Sequence, residues 1–144
     1  MDITAFSLAQ RFIGLHEMAG ATKHNALVLG MLQLDQDWPQ GDEVPWCSAF
    51  LNFVCWLLRL PRSKSLAARS WLGVGLPIRL EEARAGWDVV ILSRGSDQAA
   101  GHVGLFAGLG PRGETVFVLG GNQADQVSIM SFWTDGVLGV RRLL

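Results

Sequence analysis

Hydrophobic and polar positions change their period once along this chain. In the first part, apolar side chains recur every three or four residues. Ala5, Leu8, Ala9, Phe12, Ile13 and Leu15 form one such face, which predicts a helix from a cap at Asp2 or Thr4 to about Glu17, closed by Gly20. A second helix is predicted from about Asn25 to Leu34, on Ala26, Leu27, Leu29, Met31 and Leu32. Gln33 to Asp42 is polar, holds Trp38-Pro39 and Gly41, and reads as a loop. Phe50, Leu51, Val54, Leu57 and Leu58 then mark a third helix, begun near Pro45 and stopped by Pro61. Ser65 can cap a short helix from Leu66 to Leu72. Leu76 to Arg84, with Pro77, reads as an irregular connection.

After Gly86 the pattern is that of strands. Trp87 to Leu92, His102 to Ala107, Thr115 to Leu119, Gln126 to Phe132 and Val137 to Arg142 are the predicted runs, with a hairpin turn over Gly108 to Gly113. Helices first and an antiparallel meander after them give an α+β fold, with N-terminal helices packed on one face of a C-terminal sheet. The expectation is one domain over residues 1–144.

Composition narrows the function classes. A hydrophobic share of 49% with 17% charged residues suits a globular domain, and 17 glycines suit a half rich in tight turns. A net charge of -1 gives no reason to expect nucleic acid or an anionic membrane surface as partner. Met1-Asp2-Ile3-Thr4 has no basic lead and no long apolar run follows it, so neither a signal peptide nor stable membrane insertion is expected. Cys47 and Cys55 fall on one predicted helix, roughly 12 Å apart at its rise per residue. A disulfide needs less than about 7 Å, so both are expected to be free thiols.

Cys47 is the first candidate for chemistry. At a helix start, unpaired N–H groups and the dipole favour thiolate, the nucleophilic form. The plainer reading is a small buried hydrophobe. His102 opens a strand between Gly101 and Gly104 and is the candidate base, sequence-distant as such bases are. Asn122, in Gly120-Gly121-Asn122-Gln123, follows the returning strand; it can accept from the His102 ring or simply form a turn. Trp46, Arg69 and Trp71 can line a groove, although core packing suits both tryptophans. Ser48 and Gln123, inside the same motifs, are the other candidate substrate contacts. Asp42 and Glu43 are loop charges or assist the site. His16-Glu17 lacks the second histidine of a zinc-protease motif, His24 stands alone and no paired metal-ligand spacing occurs, so no structural zinc site is expected; Cys55 falls on the core side and reads as packing.

Four motifs stand in one order: Pro45-Trp46-Cys47-Ser48-Ala49-Phe50, Ala68-Arg69-Ser70-Trp71-Leu72, Gly101-His102-Val103-Gly104 and Gly120-Gly121-Asn122-Gln123. Together with Leu15-His16-Glu17 and His24-Asn25 they resemble the NlpC/P60 and CHAP superfamily of bacterial and phage cysteine hydrolases, in a single-domain branch found among phage lysins. The resemblance spans nearly the whole chain. It implies a papain-like fold and cleavage of an amide bond in peptidoglycan, without cofactor. Cys47 would be the nucleophile, as a thiolate paired with a His102 imidazolium, and Asn122 the residue orienting His102. It also implies action on the cell wall, in the periplasm, after release through a holin-type pore or delivery by another system. The same dyad would serve a toxin-like effector amidase or a protein-directed protease or deamidase. A silent wall-binding or virion-structural module is the non-enzymatic alternative. Trp87-Asp88, where relatives commonly have Gly-Asp, and Ala26, where a proline often follows asparagine, depart from the family pattern.

Overall fold

In the computed structural model, which describes residues 2–17, 25–34 and 46–144, helices and strands follow in the expected order. The expectations for Gly20, His24, the loop from 35 onward, Asp42, Glu43 and Pro45 lie outside the described residues. Helix α1 (Ala5–Ala9) starts at Thr4, whose Oγ1 accepts from the Ser7 N–H at 3.0 Å while the Ser7 hydroxyl accepts from the Thr4 N–H at 2.9 Å. This reciprocal cap satisfies two N–H groups that a helix start leaves without partners. A 3-10 turn (Gln10–Phe12) extends it. The predicted continuation to Glu17 does not form. Gly14 adopts φ 97° and redirects the chain, and residues 15–17 run extended beside a strand, with His16 bridged to Gln126. Helix α2 (Ala26–Gln33) forms as expected, its Asn25 side chain accepting from the Leu27 and Val28 N–H groups. Helix α3 (Cys47–Leu58) ends at Arg59, in the left-handed conformation, before Pro61 is reached.

The short helix expected after Ser65 is instead a 3-10 turn, Ala68–Gly73. The connection expected to be irregular contains strand β1 (Leu76–Ile78), tolerable for Pro77 because it lies at the sheet's edge. Strands β2 (Asp88–Arg94), β3 (Asp97–Leu109), β4 (Thr115–Gln123), β5 (Gln126–Trp133) and β6 (Val137–Arg142) complete a six-stranded antiparallel sheet in the order β1-β6-β2-β3-β4-β5. The meander therefore runs from β2 to β5, and β6 returns to lie beside β2.

Alternation divides the sheet's side chains between two clusters. Val89, Ile91, Val103, Leu105 and Leu119 face the helices and pack with Phe50, Leu51, Val54 and Trp71. Val90, Leu92, Phe106, Val116 and Val118 point the other way. That second face is not bare, as an arrangement with all cover on one side would leave it: Leu80 from a 3-10 turn, Ala83, Phe132 and Val137 pack over it. Among the described residues no helix is long and apolar enough to cross a membrane.

Candidate active site

Cys47 is the first residue of α3, where helix-start N–H groups lack intrahelical acceptors. It is held there by Trp46, fully buried, whose indole N–H donates to Glu17 Oε2 at 3.2 Å. Trp46 also packs on the backbone of β4. A Cβ added at Gly121 would stand 2.7 Å from the Trp46 ring and 2.8 Å from Phe50 Cβ, so only glycine admits this contact. Cys47 is 4% exposed. Burial pushes its thiol up, against the opposing influence of the backbone N–H groups of Val103, Ser48 and Cys47 and the charge of Arg94. The expectation that the helix start favours a thiolate is thus corrected. Desolvation outweighs the dipole, and the resting group is a neutral thiol.

His102 is 2% exposed and pairs across the ladder with Leu92 of β2. Its Nε2 lies 2.8 Å from Gln123 Oε1. The roles in that bond follow from the other end of the amide. Gln123 Nε2 donates to the carbonyls of Val118, at 3.1 Å, and Ser128, at 2.7 Å, so its oxygen must face the ring. The ring nitrogen it meets therefore carries the proton, and Nδ1 carries the lone pair. Nδ1 is buried without a hydrogen-bond partner among the described residues. Burial pulls the His102 pKa down; the Gln123 bond opposes this and the Arg94 charge adds to it. The imidazole is neutral near pH 7. An expected resting thiolate–imidazolium pair is replaced by two neutral groups.

The ring's orienting partner is Gln123 and not Asn122. Asn122 takes φ 58° in the irregularity where β4 leaves its register between Gly120 and Gln123, which is the turn reading of that motif. Gly120 makes room for the replacement, since a Cβ there would come within 2.7 Å of Gln123 Oε1. Gln123, expected as a substrate contact, is buried and bonded to His102.

Sulfur and imidazole meet the sheet at adjacent residues from different sides. Val103, whose amide faces the sulfur, belongs to the cluster under α3. His102 points to the opposite face, its ring 5.2 Å from that of Phe132. No hydrogen bond joins Cys47 to His102 in this conformation. The other candidate contacts are structural here. Ser48, buried, donates to the Ser65 carbonyl and accepts from the Trp71 indole at 2.8 Å; Trp71, like Trp46, is fully buried and lines no groove. Arg69, half-buried, spends its guanidinium on the carbonyls of Ala100, at 2.7 Å, and Asp97, at 3.2 Å, tying the 3-10 turn to the start of β3.

Sequence reasoning passed over Arg94, whose charge acts on both Cys47 and His102. Its only signal was a cation at the end of the strand paired with that of His102. Phe132, whose ring lies against His102, stands in the sequence only as the end of a predicted strand. Cys55 is buried and free, its thiol pushed up to about 12, and so is inert. Among the described residues no three His, Cys, Asp or Glu side chains gather as a metal site would require. No family model matches the chain, and no curated protein matches it.

Proposed function

We propose that this protein is a cysteine hydrolase of papain-like architecture that cleaves an amide bond of the peptidoglycan stem peptide. The observation that carries the chemistry is the bare, buried Nδ1 of His102, one residue from the amide that faces the Cys47 sulfur. Buried polar atoms are nearly always paired, and an unpaired one with a fixed lone pair is suited to accepting a proton. The substrate class rests on the order of the four motifs.

Both groups start neutral, so the chemistry is general-base catalysis rather than attack by a preformed thiolate. This chemistry requires the His102 ring to swing from the Phe132 side of β3 to the Cys47 side, at the stretch where β4 is no longer paired with β3, beyond Leu105 and Leu119. The Cys47 proton passes to Nδ1 as the sulfur adds to the carbonyl carbon. The oxyanion is met by N–H groups at the start of α3, each such donor being worth about 3 kcal/mol in the transition state. The imidazolium returns its proton to the leaving amine, the carbon–nitrogen bond breaks, and a thioester remains. Water, deprotonated by His102, then releases the acid and restores the thiol. Gln123 is the positioning residue that holds the required tautomer.

Cys47→Ala tests this directly. Purified sacculi are incubated with each protein and the released muropeptides are identified by mass spectrometry. The native chain should release one class of new amine and carboxyl ends, and the variant none. Equal release by both rules the mechanism out. The near-complete burial of both side chains favours a second reading, a catalytically silent wall-binding or virion-structural module. Sedimentation with sacculi without any new ends would establish that reading instead.

A further inference from the structure

Charge is unevenly distributed along this chain. From Trp46 to Leu80 there is no aspartate or glutamate, while Arg59, Arg62, Lys64, Arg69 and Arg79 all fall in that stretch. The fold gathers three of these cations at the far end of α3. Arg59, at φ 57°, ends the helix, its N–H capping the Cys55 and Trp56 carbonyls. The chain then turns through Lys64, also at φ 57°, and is strapped back by Asn52. The Lys64 N–H donates to Asn52 Oδ1 at 3.0 Å, and Asn52 Nδ2 donates to the Ser65 carbonyl at 3.1 Å. This turn frames an open cavity of about 900 Å³, with Trp56, Arg59, Arg62 and Lys64 on its walls and no acidic side chain among its described lining residues. Trp56 is 50% exposed and rests on Phe53, ring centroids 6.3 Å apart at 24°, which holds the indole in place with its remaining surface in solvent. The cavity lies about 14 Å along the helix axis from Cys47, so it is separate from the thiol chemistry.

We propose that this cavity binds an anionic carbohydrate. An exposed, preordered indole offers an apolar plate for the C–H face of a sugar ring, with little side-chain entropy left to lose. Arg59 and Lys64 meet carboxylate or phosphate groups on the same saccharide. An extended nucleic acid fits less well, because the chain's net charge of -1 supplies no continuous basic track.

Calorimetric titration of the full chain tests this with three probes: a galacturonic acid tetrasaccharide, its neutral methyl ester, and a short oligothymidylate. The acidic tetrasaccharide should bind saturably at one site and more weakly as salt is raised. Trp56→Ala and Lys64→Asn should each weaken it by about tenfold or more. Asparagine is chosen because it accepts the left-handed backbone at residue 64, and Arg59→Asn serves in the same way where Trp56→Ala fails to fold. The proposal is overturned by absence of saturable binding, by equal affinity for the methyl ester, by tighter binding of the oligothymidylate, or by variants that bind as the native chain does.

Discussion

Gln123 has one way to sit, because its amide nitrogen already donates to two carbonyls, and its oxygen is therefore committed to the His102 ring. That bond stabilises the protonated imidazole, while the Arg94 charge opposes it. Two substitutions should then move the acid limb of the rate–pH profile in opposite directions. The base must be neutral to act, and burial puts its pKa below the ordinary 6.5, so the native limb should lie below pH 6.5. Gln123→Leu removes a raising influence and should shift the limb further down, with a rate loss of about tenfold or more as the tautomer is released. Arg94→Gln removes a lowering influence and should shift it up. Profiles of kcat/KM against pH decide the matter, and limbs that stay put or move the same way would dismiss His102 as the base. Asn122→Gly should be mild, since the asparagine makes no bond to the ring and glycine takes φ 58° without strain. The sequence singles out Cys47 and His102 because their types and flanks carry chemistry. The sequence assigns the bond to the His102 ring to Asn122 and makes Gln123 a substrate contact, whereas the ring is met by Gln123, since no local pattern says which of two neighbouring amides a bulged strand turns inward.

At the scale of elements, glycines decide how closely α3 approaches the sheet. Gly121 lies directly under Trp46 and Phe50, whereas Gly30 stands exposed inside α2 with nothing within 4 Å of its missing side chain. Gly121→Ala should cost about 1–3 kcal/mol as the helix start is pushed from β4. Gly30→Ala should gain about 0.5–1 kcal/mol, through helix propensity alone. Chemical denaturation of the two variants checks the contrast, and a neutral Gly121→Ala would mean that α3 does not seat on β4 as described. Periodicity predicted α2, α3 and the five main strands, because each has an uninterrupted apolar face. It overextended α1, where Ile13 and Leu15 continue the helical pattern although Gly14 has already broken the backbone. It also passed over β1, since three residues around a proline carry no period and pair only because β6 returns beside them.

For the whole molecule, the two-sided core explains both the stability of the fold and its response to pH. One end of the sheet is clamped by a buried carboxylate: Asp88 Oδ1 and Oδ2 each accept from Arg142 at 2.8 Å, joining β2 to β6. Burial favours the neutral forms of His102, Cys47 and Cys55, and this has a definite sign. The folded His102 pKa is lowered from 6.5, so as pH falls below that value the unfolded chain takes up a proton that the folded chain refuses. Stability should therefore be lost on the acid side, at up to about 1.4 kcal/mol per pH unit from this group. The folded Cys47 and Cys55 thiols are raised from 9.0, the latter to about 12, so above pH 9.0 the unfolded chain releases protons that the folded chain retains. Stability should fall there too, by as much again per unit for each thiol. Between these limits the three groups contribute no slope. Urea midpoints measured across this range should form a plateau with two shoulders. His102→Leu should flatten the acid shoulder and Cys55→Ala should make the alkaline one shallower by one proton, each relative to its own plateau. Shoulders that survive both substitutions unchanged would place the titrating groups elsewhere and remove the physical basis for a neutral thiol beside a neutral imidazole.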